Sequence, residues 1–193
     1  MISSECQQLP CRVRPATIVD LPQLADILTS SFYGSKGWQG WIYPLLRIGI
    51  YEDLKQRFRN APPQYVCLAG LPASAPTSTD WLVGTVELAP RRRSPWHPES
   101  THQLYLSNLA VRGSYRRHGV ARHLLMACEQ TAHAWGFSEL CLHVMEDNWP
   151  ARQLYDRAGY QLEQAEVTLL TLLGQPRRLR LCKVLAMRSA QSD

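Results

Sequence analysis

A chain of 193 residues, 45% hydrophobic and 19% charged, is long enough to bury one substantial core and short enough to do so as a single domain over residues 1–193, its core running from about 12 to 187. No apolar run approaches the roughly 18 to 20 residues that span a bilayer, and MISSECQQLPCRVRP lacks a secretory apolar stretch and cleavage pattern, so no membrane association is expected. The expected location is cytoplasmic, or the chloroplast stroma for a plant protein whose transit peptide has been removed. A formal charge of +5 and a pI near 9.0 suit an anionic ligand, an acidic partner or nucleic acid without choosing among them.

In chain order, Arg12 to Ala16 predicts a short first strand, and Thr17 or Asp20 can cap a helix whose apolar positions Leu21, Leu24, Ile27 and Leu28 follow helical spacing. The aromatic stretch Ser31 to Pro44 reads as a loop. A second helix is expected from Leu45 to Asn60, stopped by Pro62 and Pro63. Two β-type segments follow, Gln64 to Gly70 and Trp81 to Ala89, joined by the loop LPASAPTSTD. The loop Pro90 to Thr101 carries Arg91, Arg92 and Arg93 and reads as a solvated charge run. Gln103 to Val111 is a strand, Val120 to Trp135 a helix ended by Gly136, and Leu140 to Met145 a buried-type strand. A short helix runs from Pro150 to Ala158. Gln164 to Leu173 and Arg178 to Met187 flank Gly174, Gln175 and Pro176 as a candidate hairpin.

The six cysteines (Cys6, Cys11, Cys67, Cys128, Cys141, Cys182) include no CxxC pair, and several lie in apolar runs. They read as small buried hydrophobes in a reducing compartment. The histidines offer neither HExxH nor a Cys/His zinc spacing, so no metal site is expected.

The stretch VRGSYRRHGVARHLL (111–125) places arginines and glycines between a strand and a helix, where unsatisfied backbone N–H groups and the positive end of the helix dipole favour an anion. Gly119 removes a side chain from the approach, Ala121 keeps the first turn thin, and Arg116, Arg117 and Arg122 add charge. Neither GxxxxGK[ST] nor GxGxxG is present. What the loop matches is Arg/Gln-x-x-Gly-x-Gly/Ala, as Arg116, Arg117, His118, Gly119, Val120 and Ala121. Downstream, Asn148, Ala151, Leu154, Tyr155, Gly159 and Tyr160 reproduce Asn-x-x-Ala-x-x-Leu/Phe-Tyr-x-x-x-Gly-Phe/Tyr.

With these two motifs the chain resembles the GCN5-related N-acetyltransferase (GNAT) superfamily. The resemblance covers nearly the whole chain and is shared with chloroplast and cyanobacterial members and with one group of protein N-terminal acetyltransferases. It implies an α/β (α+β) fold with a mixed central sheet of about six to seven strands flanked by about four helices, and a splayed strand pair holding acetyl-CoA. By the same resemblance, residues 116–122 hold the pyrophosphate, the backbone of Asn108, Leu109, Ala110 and Val111 pairs with the pantetheine amides, Asn148 and Ala151 help hold that arm, and Tyr155 protonates the departing thiolate. A phenol with an ordinary pKa of about 10 can deliver that proton at neutral pH.

Attack requires a neutral amine, and His143, with an ordinary pKa of about 6.5, is the first candidate base. In the related N-terminal acetyltransferases the equivalents of Tyr105 and His143 position a water and act as the base pair. Glu87 is the competing base. Deprotonation at pH 7 costs roughly 1.2 kcal/mol for a peptide α-amine and roughly 4.6 kcal/mol for lysine, which favours the α-amine, while a desolvating pocket keeps lysine open. The chloroplast and cyanobacterial members that the chain resembles include enzymes acetylating both protein N-termini and lysines, so the resemblance makes dual specificity for protein α-amines and lysines the preferred expectation. Trp38, Trp41, Tyr43 and residues 159–185 are expected to line the acceptor entrance. The alternatives are an arylalkylamine acetyltransferase acting on an amine such as serotonin, a nonenzymatic acyl-CoA sensor, and a nucleic-acid binder using Arg91 to Arg93 and Arg177 to Arg180, which lacks an accompanying aromatic signature. A monomer or homodimer is expected.

Overall fold

The computed structural model describes residues 11–32, 42–73, 81–92, 102–168, 171 and 174–185. Trp38, Trp41 and Arg93, named above, lie outside the described residues. By spatial proximity the chain groups into two compact units, Met1–Glu87 with Asn108–Leu124, and Leu88–Ser107 with Leu125–Asp193.

The first unit opens with β1 (Cys11–Pro15), a 3-10 turn (Ile18–Asp20) and α1 (Leu21–Phe32). The Asp20 carboxylate accepts from the Thr17 N–H at 2.7 Å and from Arg14 at 2.7 and 3.0 Å, which ties the strand to the helix start. α1 buries Leu21, Leu24, Ala25, Ile27 and Leu28, the helical stripe expected from sequence. Its core partners are Leu54 of α2 (Tyr43–Arg59) and Cys67, Ala69 and Leu71 of β2 (Val66–Pro72). α2 begins earlier than Leu45 because Pro44 occupies its first turn, where a missing N–H costs nothing.

Two further strands, β3 (Gly84–Arg92) and β4 (His102–Val111), contribute residues to both units, as does α3 (Val120–Ala134). A Cβ added at Gly84 would lie 3.0 Å from the Ala110 carbonyl oxygen, 3.0 Å from Leu124 and 3.1 Å from Val120, so only glycine lets α3 pack at this distance.

In the second unit, β5 (Glu139–Met145) and α4 (Trp149–Arg157) precede β6 (Gln161–Glu166) and β7 (Arg178–Val184). Among the described residues the chain forms four α-helices and one seven-stranded sheet of order β1-β2-β3-β4-β5-β7-β6. The β4–β5 pair is parallel, with Leu104 opposite Leu140 and Tyr105 opposite Cys141; β7 runs antiparallel to both β5 and β6.

Besides the start of α2, and Pro90, Arg91 and Arg92, which end β3 rather than open a solvated loop, two sequence expectations change. β6 spans the more exposed Gln161–Glu166 rather than beginning at Gln164, and Leu169, Leu170, Leu172 and Leu173 of the expected strand lie outside the described residues. An edge strand pairs on one side only and does not need a continuous apolar sequence. The second change is that Cys141 and Cys182 are joined by a disulfide, with their Cα atoms 4.1 Å apart on directly opposed residues of β5 and β7. Spacing along the chain carries no trace of that register. Cys67 and Cys128 are buried and lie outside any disulfide, as expected, and burial pushes the Cys67 thiol up to about 12.

Candidate active site

The basic loop closes β4 and opens α3. A short 3-10 turn (Gly113–Tyr115) leads into residues 116–119, where Arg117 (φ 68°) and Gly119 (φ 82°) both take left-handed backbone conformations. A Cβ at Gly119 would find nothing nearer than His123 at 3.9 Å, so the glycine answers to its backbone angle rather than to crowding. The Arg116 side chain donates through Nε to the Val111 carbonyl at 3.1 Å, and Arg112 donates to the Leu82 carbonyl. Arg117 and Arg122 are exposed, Val120 is buried and Ala121 is partly covered. The Nδ1 of His118 is buried without a hydrogen-bond partner. An unsatisfied buried imidazole nitrogen, a helix N-terminus and exposed guanidinium groups form a set that suits phosphate oxygens.

Glu87 on β3 is buried, and its carboxylate accepts three hydrogen bonds. Asn108 Nδ2 donates to Oε1 at 2.7 Å, while Arg57 Nη1 and the Tyr65 hydroxyl donate to Oε2 at 3.1 and 3.2 Å. Arg57 also pairs with Asp53 at 2.7 Å. Asn108 stands within β4 at φ 54°, a left-handed conformation that asparagine tolerates better than most non-glycine residues, and here its side chain is held by Glu87. Leu109, Ala110 and Val111 complete the strand beyond it, the last two buried.

In the second unit, Tyr105 of β4 and His143 of β5 meet, with the tyrosine hydroxyl 2.6 Å from Nδ1. The Arg91 guanidinium lies 3.9 Å over the Tyr105 ring. On the other side of the imidazole, Nε2 is 2.8 Å from Glu166 Oε1, within ion-pair distance but off the axis of the ring N–H. Desolvation lowers the His143 pKa, Arg178 and Arg180 lower it further, and Glu166 opposes them. These surroundings favour the neutral form of a partly covered His143.

Tyr155 of α4 is 7% exposed and packs edge to face on Tyr160 at 5.8 Å. Burial raises its pKa, which keeps the phenol protonated. Asn148 caps α4, accepting from the Ala151 N–H at 3.3 Å, with Pro150 in the first turn. Beside this helix start, a surface cleft of about 680 Å³ is lined by Glu146, Trp149, Arg152, Val167, Thr171 and Arg177, among others. Part of the expected acceptor segment therefore borders a cleft.

Sequence reading missed Arg57, Tyr65 and Glu166. The contacts that matter here, Arg57 and Tyr65 with Glu87 and Glu166 with His143, each span more than 20 residues and depend on how the elements pack. The one available signal was an asparagine inside the apolar strand LYLSNLAV, which marks a backbone break.

The class is set by the match to a family. The chain belongs to the acetyltransferase (GNAT) family, whose model matches residues 21–160. It is 34% identical over 141 residues to GCN5-related N-acetyltransferase 10, chloroplastic, of Arabidopsis thaliana, a match covering 69% of the chain and 55% of that relative. GCN5-related N-acetyltransferase 4, chloroplastic, of the same plant is 28% identical over 180 residues, covering 77% and 60%. The chain thus spans somewhat more than half the length of these curated relatives. Among solved structures it is similar to Arabidopsis thaliana NAA60 in complex with a bisubstrate analogue, with a TM-score of 0.66 at 19% identity, covering 92% of the chain and 99% of that structure's chain. The NatC complex bound to Gag peptide and CoA gives a TM-score of 0.67 at 14% identity, covering 91% and 99%. These two likenesses are of fold.

Proposed function

We propose that the protein is an N-acetyltransferase that moves the acetyl group of acetyl-CoA to a peptide amine, at protein N-termini and on lysine side chains. The observation that carries this reading is the 2.6 Å contact between Tyr105 and His143 in a member of the acetyltransferase family. In outline, the amine nitrogen bonds to the acetyl carbonyl carbon, the carbon–sulfur bond breaks, and the sulfur takes a proton from Tyr155. The amine proton leaves by way of Tyr105 and His143.

Residues 116–122 are proposed to hold the pyrophosphate, supported by the orphaned His118 nitrogen and the loop's guanidinium groups. Leu109, Ala110, Val111, Asn148 and Ala151 are proposed to hold the pantetheine arm. In the cap of α4, Asn148 uses its side-chain oxygen, leaving its amide N–H groups for that task. Glu87 ranks behind His143 as base because Arg57, Tyr65 and Asn108 already draw on its carboxylate. The two structural neighbours hold a bisubstrate analogue and a peptide with CoA, which supports a peptide acceptor. Their chloroplastic names make the curated relatives a support for the stroma when the source is a plant.

The test is mass spectrometry of a peptide library incubated with the protein and acetyl-CoA, each peptide carrying a free N-terminus and an internal lysine, with serotonin in a parallel reaction. Acetylated α-amines and lysines are the expected result. Acetylserotonin alone would replace the peptide acceptor with a small amine, and CoA binding without product would replace the enzyme with a sensor.

A further inference from the structure

We infer that Glu166 is a positioning residue for His143, fixing the imidazole in the tautomer that presents the Nδ1 lone pair to the Tyr105 hydroxyl. The inference rests on the acetyltransferase reading and adds a third member to its proton path.

The argument begins with donors and acceptors. A neutral imidazole has one N–H and one lone pair, and an ionised carboxylate can only accept. Were the proton on Nδ1, the Nε2 lone pair would face a carboxylate oxygen 2.8 Å away, which is repulsive. With the proton on Nε2, a small turn of the ring or carboxylate brings the N–H into line, and Nδ1 becomes the acceptor for the tyrosine hydroxyl at 2.6 Å. The two contacts agree on one tautomer.

The surroundings make the carboxylate necessary. His143 stands opposite Arg180 on β7, and Met145, two residues on, stands opposite Arg178. Arg178 is 3.8 Å from Glu166, Arg180 contacts Glu163 and Gln103 at 2.8 and 2.5 Å, and Arg91 covers the Tyr105 ring. The remaining neighbour on that face of β5, Cys141, is tied in the disulfide and does not titrate. Glu166 is therefore the negative group in contact with an imidazole whose other charged neighbours are arginines. During transfer the amine proton passes to the Tyr105 oxygen as the Tyr105 hydroxyl proton passes to Nδ1. The imidazolium formed then lies against Glu166. The thiolate is protonated by Tyr155, and solvent returns the proton from His143 to the Tyr155 phenolate, so the balance is one amide and one CoA thiol.

The experiment is nitrogen-15 NMR of the full chain labelled in its histidine rings, with His143 assigned by the signal lost in His143→Gln. Wild-type His143 is expected as the Nε2–H tautomer. In Glu166→Ala the Nε2–H preference is expected to weaken and the titration midpoint to fall. Glu166→Gln, which keeps an acceptor oxygen and loses the charge, is expected to hold the tautomer and lower the midpoint. With a peptide acceptor, Glu166→Ala should lower kcat by about ten- to a hundredfold and move the acid limb of the pH profile to lower pH. A wild-type proton on Nδ1, or a tautomer and midpoint indifferent to both substitutions, overturns the inference. The NMR readout needs no substrate, so a library without acetylated product removes the acetyltransferase reading while the tautomer is still decided.

Discussion

Tyr155 carries the sharpest single-residue consequence. Its hydroxyl is the proposed proton donor, and the ring packs on Tyr160 whether or not the oxygen is there. Tyr155→Phe should therefore lower turnover by roughly a hundredfold or more while leaving acetyl-CoA affinity within about twofold. Stopped-flow turnover and calorimetric titration separate the two, and unchanged turnover would remove the acid role. This residue was legible because it sits in a signature with fixed spacing. Tyr105 and His143 were singled out by the resemblance to one group of N-terminal acetyltransferases, and period-two alternation added only the face of its own strand that each occupies. Glu166 was not, because its place beside His143 depends on a bulge in β6 between Leu162 and Gln164 that no local pattern announces. Glu87 was visible only as a carboxylate on a strand; its three donors come from an α2 arginine, a tyrosine ahead of β2 and a β4 asparagine.

Among the elements, β4 departs furthest from an ideal strand. Asn108 adopts a left-handed conformation within it, secured by Glu87. A β-branched residue there meets its own backbone, so Asn108→Val should destabilise the fold by about 1 to 3 kcal/mol, read from urea unfolding. Asn108→Gly loses the hydrogen bond without the strain and should cost less. The helices were readable nearly to their ends from apolar spacing, with Pro150 marking a first turn, whereas Pro44, read as the end of a loop, stands in the first turn of α2. β6 was misplaced because the apolar residues after it drew the assignment, whereas its pairing with β7 uses the more exposed Gln161–Glu166.

For the molecule as a whole, the Cys141–Cys182 bond ties β5 to β7 across a sequence separation of 41. Closing a loop of that length limits the unfolded chain by about 4 kcal/mol in the chain-entropy model. Reduction should lower the thermal midpoint by roughly 8 to 16 °C for a chain of this size, and a melt with and without a phosphine reductant tests it. Fold class was legible because element order and two motifs agree; the disulfide was not, since it depends on which residues the register sets opposite each other. The last consequence belongs to Gly84. The missing side chain there leaves α3 no slack against β3 and the Ala110 carbonyl, and the same helix begins at the anion loop. A single methyl at this point acts as a shim under the loop proposed to grip the pyrophosphate. Gly84→Ala should tilt the first turn of α3 and weaken CoA by about tenfold, on the scale of 1 to 3 kcal/mol for an overpacked contact. The width of one glycine on a strand thus calibrates how firmly a loop more than thirty residues away in sequence can close on its ligand.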